Sequence, residues 1–318
     1  MPVAARVLGA LAVIALLVAP PLLPKYPLEI LISVLFFAYL GLAWNILGGY
    51  AGQFSFGHAA FFGIGAYTST LLLLRGGVTP WLGMLAGGVL AAGFGLFEGY
   101  LSFRYGLRGP YFSLVTLAFA EMLRVVSVNA KAVGASIGLV IPTGIAAPAM
   151  FVFAGKLSYY YVILAMTAAA LVITRALARS RLGYALIAVR ENEDAAEAAG
   201  VNALGVKLAA MALSSFLTAF GGTFYAQYFA YIDPTITFGP AISIQGLLPA
   251  IVGGAGTVLG PLLGSFVLTP ISELTRAALR GRAGADIMLY GLILILVISF
   301  LPQGLMGLRR AARGSTGR

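Results

Sequence analysis

Residues 27–58 read PLEILISVLFFAYLGLAWNILGGYAGQFSFGH, and this stretch decides the fold. Residues 27–47 carry a single charge, Glu29, in an otherwise apolar run. A helix needs roughly 20 such residues to cross the hydrocarbon core of a bilayer. The ten-residue alternation of a membrane β-barrel is missing. The run then breaks at Gly48-Gly49, passes through a glycine-spaced polar stretch ending in His58, and resumes as apolar sequence. A membrane-crossing helix followed by a broken, glycine-rich connection is therefore expected.

The same pattern repeats outward in both directions. Apolar runs bounded by charges, proline and glycine occupy 7–24, 27–47, 56–74, 80–102, 110–127, 158–176, 208–231, 240–257, 258–276 and 286–302. The expected fold is an all-α polytopic membrane bundle of about ten transmembrane helices, forming one domain over residues 1–318. Segments 56–74, 110–127 and 240–257 are short or glycine-rich enough to re-enter instead of span. Arg6 ahead of an apolar stretch would also suit a signal peptide. Pro20-Pro21 stands where a small-residue cleavage site belongs, so an uncleaved first helix is expected.

Composition supports this reading and excludes several functions. Charged residues make up 9% of the chain against about 25% in a soluble domain, too few to cover a soluble globule. There is no cysteine, so no disulfide, thiolate metal site or cysteine nucleophile exists. The single histidine, His58, cannot build a histidine metal cluster. No phosphate-binding G-x-x-x-x-G-K-[ST] loop occurs. No catalytic site, metal or cofactor is expected. The net charge of +10 reads as loop charge set against a lipid bilayer, not as nucleic-acid binding.

Charge also orients the chain. With ten crossings both termini share a side with Arg104, Arg108, Arg175, Arg179, Arg181, Arg190 and Lys207. Together with terminal arginines, that side holds 12 of the 20 lysines and arginines, which predicts cytoplasmic termini. Arg276, Arg280 and Arg282 fall outside and strain the assignment.

The cytoplasmic segment 177–206 contains Arg190, Glu191, Glu193, Asp194, Glu197, Ala198, Ala199 and Gly200. Asn192 or Asp194 suits an N-cap, and Asp194 with Glu197 has capping-box spacing. Alanines follow, and Gly200 sits where a helix-ending glycine belongs. This predicts a short, alanine-faced helix with an acidic rim. It fits either a knob inserted into a partner's groove or an ordinary solvated connector.

Glycines concentrate in two stretches, one in each half of the chain. The first holds Gly49, Gly52, Gln53, Ser55 and His58; the second holds Gly253, Gly254 and Gly256. Paired glycine-interrupted segments suit broken helices beside a solute path, and equally suit close packing through small residues. His58 with Gln53 and Ser55 suits either solute contact or satisfaction of a broken backbone. Glu29 and Glu98 stand near predicted helix ends, and Glu121 with Arg124 has intrahelical pairing distance. An ion-coupled carrier needs midplane carboxylates, of which no convincing set exists. Tyr228 and Tyr231 fit an interfacial aromatic belt.

Four stretches together carry a resemblance: residues 43–65 (AWNILGGYAGQFSFGHAAFFGIG), 108–121 (RGPYFSLVTLAFAE), 183–201 (GYALIAVRENEDAAEAAGV) and 248–264 (LPAIVGGAGTVLGPLLG). They resemble the permeases of branched-chain amino acid ABC importers, of the LivM type, over roughly residues 28–308. The resemblance implies a subunit of the bacterial inner membrane that moves branched-chain amino acids or a related small polar solute inward. It also implies a second, LivH-like permease, two cytoplasmic ATP-binding subunits and a periplasmic solute-binding protein. By similarity, residues 190–201 look like the coupling segment, with Glu197-Ala198-Ala199-Gly200 matching the EAA…G core. The I-x-L-P that follows in the general pattern is replaced by Met211-Ala212-Leu213. The family's T-G-G-x-x-G-L is replaced here by residues 132–139, AVGASIGL, which leaves urea, short amides and aromatic acids open as cargo. The rival from another class is a self-sufficient ion-coupled secondary transporter.

Overall fold

A computed structural model describes residues 14–142, 147–278, 291 and 304–307. The described part is almost wholly helical. The long helices are α1 (Lys25–Asn45), α2 (His58–Gly76), α3 (Pro80–Arg104), α4 (Pro110–Asn129) and α5 (Lys156–Ala178). Two short helices, α6 (Arg181–Glu191) and α7 (Glu193–Ala198), lead into the long α8 (Ala203–Phe229). The chain continues as α9 (Pro234–Thr237), α10 (Pro240–Gly253) and α11 (Gly260–Ala278). A two-residue ribbon pairs β1 (Leu139–Val140) antiparallel with β2 (Tyr231–Ile232) at the far end of α8.

Six helices among the described residues are long and apolar enough to cross a membrane: Lys25–Tyr50, Pro80–Arg104, Pro110–Asn129, Lys156–Ala178, Ala203–Phe229 and Pro234–Gly253. The expectation of about ten is met only in part. Segment 7–24 is described only from residue 14 on, and segment 286–302 lies outside the described residues except for residue 291. Segments 56–74 and 258–276 form α2 and α11, neither of which is among the six. The reason is polar dilution: His58, Tyr67, Thr68, Ser69, Thr70 and Arg75 in α2, and Ser265, Thr269, Ser272, Glu273 and Arg276 in α11. Both helices are flanked by more apolar neighbours, α2 by α3 and α8, α11 by α1 and α10.

The helices assemble through small residues. Along α3, Gly83, Gly87 and Gly95 face α2 or α8 so closely that a Cβ at Gly87 would stand 3.0 Å from the Gly65 backbone. Such contacts let backbones approach where lipid offers no hydrophobic drive between helices. The outward faces of α3 and α4 present Leu82, Leu85, Val89, Leu114 and Val126, as a lipid-facing surface requires. The described end of the first segment docks on α5, where the Tyr160 hydroxyl donates to the Leu16 carbonyl (2.7 Å).

Candidate functional site: a glycine junction tied to the α6–α7 segment

α1 does not end cleanly. Its last turn loosens into a π-helical turn, Ile46–Tyr50, which widens the helix before the chain doubles back. Residues 51–57 then cross the interior without helical hydrogen bonds, so neighbours must satisfy that backbone. Trp44 Nε1 donates to the Ser55 carbonyl (2.9 Å), Ser113 Oγ to the Phe54 carbonyl (2.6 Å), and the Phe56 amide to Thr116 Oγ1 (3.1 Å). Gln53 is buried and donates to the Ala51 carbonyl.

His58 lies in a directional chain of hydrogen bonds. Ser214 Oγ is 2.7 Å from the Ala43 carbonyl, which only accepts, so the hydroxyl gives its proton there. It then accepts from His58 Nε2–H at 2.8 Å. His58 Nδ1, left as an acceptor, takes the proton of Ser55 Oγ at 3.2 Å, and that oxygen accepts from the Gly57 amide. The network assigns a neutral, fully satisfied imidazole with its proton on Nε2. His58 joins the broken entry of α2 to α1 and α8.

The two glycine stretches meet. Asn45, at the end of α1, bridges them: its Oδ1 accepts from the Gly256 amide (2.8 Å) and its Nδ2 donates to the Thr257 carbonyl (2.9 Å). A Cβ on Gly49 would lie 2.4 Å from the Gly256 nitrogen. On Gly253 it would lie 1.7 Å from the Gly260 carbonyl oxygen, closing the corner between α10 and α11. Gly254 and Gly256 hold positive φ, +118° and +75°, that side chains resist. The turn is finished by Thr257, which donates to the Gly254 carbonyl and accepts the Gly260 amide at the start of α11.

Arg190 links this junction to the α6–α7 segment. Its Nη1 donates to the Gly49 carbonyl (2.9 Å), while its guanidinium also pairs with Glu191. The side chain lies against Gly52 and Gly256; a Cβ on either would meet it at 2.5 Å. Four residues separated by as many as 207 positions thus converge on the Arg190 side chain: Gly49, Gly52, Glu191 and Gly256.

α7 begins as its sequence suggests, with one correction. Asn192 is the N-cap, its Oδ1 accepting the Ala195 amide at 3.0 Å; Asp194 lies inside the first turn and forms no capping box with Glu197. Asp194 turns instead toward Arg108. The helix closes through Gly200 (φ +89°): the Val201 amide reaches the Ala196 carbonyl and the Gly200 amide the Glu197 carbonyl, the paired bonds of a Schellman ending. Ala196 packs inward with Val189 and Ala203, whereas Ala195, Glu197, Ala198, Ala199 and Gly200 are exposed.

Charges fix α7 to the bundle. Glu193 pairs with Lys207 of α8 and with Arg108 (3.3 Å), and Asp194 pairs with Arg108 (3.2 Å). The hydrogen bond to Asp194 and then the charge of Glu193 hold the Arg108 guanidinium above its ordinary pKa. Lys207 is buried, with its ammonium 4.9 Å from the centre of the Phe103 ring. Sequence reasoning missed Asn45, Arg108, Thr257 and the burial of Lys207. Asn45 was the readable signal: an amide in an apolar run must find partners.

Two other placements differ from expectation. Glu121 and Arg124 pair as foreseen (2.9 Å), and Glu29 pairs with Lys156 on α5. Glu98, expected near a helix end, is wholly buried in α3, and neither oxygen has a hydrogen-bond partner. Tyr228, expected in an interfacial belt, lines a cavity of about 580 Å³ between α1, α8, α10 and α11, at the end of the bundle opposite Arg190. Among the described residues no cluster of metal-ligating side chains occurs.

A buried polar junction of broken helices, set between membrane-crossing helices and tied to an exposed helical knob, is the construction of a transport protein. The chain belongs to the family of branched-chain amino acid transport system permease components, whose model matches residues 26–298. It is similar to the high-affinity branched-chain amino acid transport system permease protein LivM of Escherichia coli, with 27% identity covering 94% of this chain and 74% of the relative. BraD of Pseudomonas aeruginosa is 28% identical and LivH of Escherichia coli 25%, each covering 85% of this chain and 91% of the relative. No solved structure matches. The chain is thus a multi-pass inner-membrane permease and a transport component, not an enzyme.

Proposed function

We propose that the chain is the transmembrane subunit of an ATP-driven importer for branched-chain amino acids or a related small polar solute. It works beside a second, LivH-like permease, with two cytoplasmic ATP-binding subunits and a periplasmic solute-binding protein. Residues 190–200 receive the push of the ATP-binding subunits. One observation carries this reading: the exposed tip 197–200 is tied to the bundle by Glu193–Lys207, Asp194–Arg108 and Arg190–Gly49, so a displacement of the tip must move α1 and α8. A merely solvated connector needs none of these ties.

Gly49, Gly52, Gln53, Ser55, His58, Gly253, Gly254 and Gly256 then form the cytoplasmic gate of the solute path, held shut by close backbone contact and by Arg190. Both termini are cytoplasmic and the membrane crossings number about ten, a reading supported by Arg108, Arg190 and Lys207 gathering at one end and by Gly304 packing on Gly254 at that same end. Glu98 alone is no proton relay, so the ion-coupled rival gains nothing from its burial.

Mild-detergent isolation of the tagged chain from its native membrane, followed by mass spectrometry, tests the assembly; two ATP-binding subunits and a second permease are expected. In that complex, Ala198→Arg is expected to abolish solute uptake while leaving assembly and basal ATP hydrolysis in place. Normal uptake by the Ala198→Arg complex would sink the coupling assignment.

A further inference from the structure

We infer that the corner between α5 and α6 binds an anionic phospholipid, with Arg175, Arg179 and Arg181 holding its phosphodiester and the exposed face of α5 seating an acyl chain. Lys156–Ala178 is long and apolar enough to cross a membrane, and several of its exposed positions fall on one line. Ala165, Ala168 and Val172 follow one another three and then four residues apart, and Arg175 and Arg179 continue the line at the same spacing. All five residues are exposed. The apolar part of the line thus runs straight into two guanidinium groups at the end of the bundle that carries Arg190. Arg181, also exposed, joins them from the start of α6.

The corner that carries these arginines is tightly built. Ser180 Oγ donates to the Leu177 carbonyl (2.8 Å) and accepts the Gly183 amide (3.1 Å). A Cβ on Gly183 would lie 2.0 Å from that same carbonyl oxygen, so the two helices meet without room for a side chain. Among the described residues none of the three arginines has an acidic partner. Glu191, Glu193 and Asp194, at the same end of the bundle, are taken by Arg190, Lys207 and Arg108. A guanidinium fork matches a phosphodiester, and basic groups at the membrane surface draw acidic lipid. A free phosphate would satisfy the arginines but leave the apolar line unused, and a neutral lipid would do the reverse. α6 runs from this corner to Arg190, so a bound headgroup anchors the helix that carries the tie to Gly49.

The test places the complex, as isolated from its native membrane, in phosphatidylcholine vesicles with a trace of phosphatidylglycerol bearing a diazirine in its acyl chain. Modified peptides are mapped by mass spectrometry, with phosphatidylethanolamine bearing the same chain as the matched probe. Labelling of Lys156–Ala178 by the phosphatidylglycerol should exceed that by the phosphatidylethanolamine at least about fivefold. Unlabelled phosphatidylglycerol should suppress it, and inorganic phosphate should not. Arg175→Gln, Arg179→Gln and Arg181→Gln should each cut the labelling about fivefold. Ala168→Trp, which obstructs the apolar line and leaves the arginines in place, should cut it as well. Arg75→Gln, at an exposed arginine on the opposite end of the bundle, should leave it unchanged. All the substituted residues are exposed, so the variants should accumulate normally, and labelling is read per amount of protein recovered. Equal labelling by the two lipids, or labelling unchanged in all three arginine variants, overturns the site. Suppression by inorganic phosphate makes it a free-anion site and overturns the lipid. Absence of labelling on Lys156–Ala178 with either probe means that a neighbouring subunit covers this face, which overturns the inference as well.

Discussion

The two ends of the bundle are built from opposite materials. Around Arg190 the close packing is backbone on backbone: Gly49, Gly52, Gly253, Gly254 and Gly256 bring carbonyls and amides so close that no Cβ fits at Gly49 or Gly253. Between α1, α8, α10 and α11 the same helices spread apart on large side chains, and a cavity of about 580 Å³ opens among aromatic rings. Glycine closes one end and phenylalanine with tyrosine props the other. The interior of a protein packs at near-crystalline density, so a chain that must both hold and release a solute has to choose where it leaves space. Here α10 and α11 serve both ends, tight at Gly253 and Gly260 and open at Gln245 and Glu273.

The largest expected effect breaks the tight end. Gly253→Val places atoms where the Gly260 carbonyl oxygen lies 1.7 Å from the built Cβ, and that oxygen belongs to backbone that cannot swing aside. Overpacking of this kind should cost more than about 3 kcal/mol, and the protein should fail to accumulate in the membrane. Ser272→Leu, filling the open end on the same helix pair, should leave accumulation unchanged. Immunoblots of membranes expressing the two variants decide it; equal accumulation removes the contrast between the ends.

Next in size is the tie between the knob and the bundle. Glu193→Gln keeps the side chain's shape but leaves the Lys207 ammonium, only 3% exposed, without its anion. Removing one partner of a buried pair costs about 3 kcal/mol or more, so the melting temperature of the purified complex should fall. Arg108→Gln, at an arginine 54% exposed, should cost less than about 1 kcal/mol. A larger loss from Arg108→Gln than from Glu193→Gln would mean that Asp194, not Glu193, holds α7 in place.

How much of this was legible depends on the distance over which each feature acts. Apolar runs are local, and 27–47, 80–102, 110–127 and 158–176 each became one helix within a few residues. Helix caps are local too: Asn192 and Gly200 end α7 where their chemistry says they should, although Asn192 outcompetes Asp194 because its carbonyl can accept without joining the acidic pairing to Arg108. What periodicity cannot carry is the identity of a partner 141 or 211 residues away, as for Arg190 with Gly49 or Asn45 with Gly256. Lys207 was counted with the loop charges because nothing near it in sequence announces Glu193 and Phe103 as its neighbours. The glycine stretches were visible as a pair, but whether they touch each other or a solute is a matter of tertiary approach.

The smallest effect repeats the contrast between closed and open within a single helix. Gly93 and Gly95 lie two residues apart on α3, yet a Cβ on Gly93 meets nothing within 4 Å, while one on Gly95 would stand 2.6 Å from Ser215 Oγ and 3.0 Å from Ser215 Cβ on α8. Gly93→Ala should therefore stabilise by about 0.5 kcal/mol, since alanine loses less backbone freedom than glycine on forming helix. Gly95→Ala should destabilise by about 1–3 kcal/mol, because Ser215 is already fixed by its bond to the Met211 carbonyl and the two helices must part. Pairing Gly95→Ala with Ser215→Gly removes the obstructing atoms, so the double variant should be better than the sum of the singles by at least about 0.5 kcal/mol. Thermal unfolding of the four proteins in one detergent reads this directly. Additive losses would mean that α3 and α8 are not held at the close approach seen here, and that small residues along this seam act only through helix propensity.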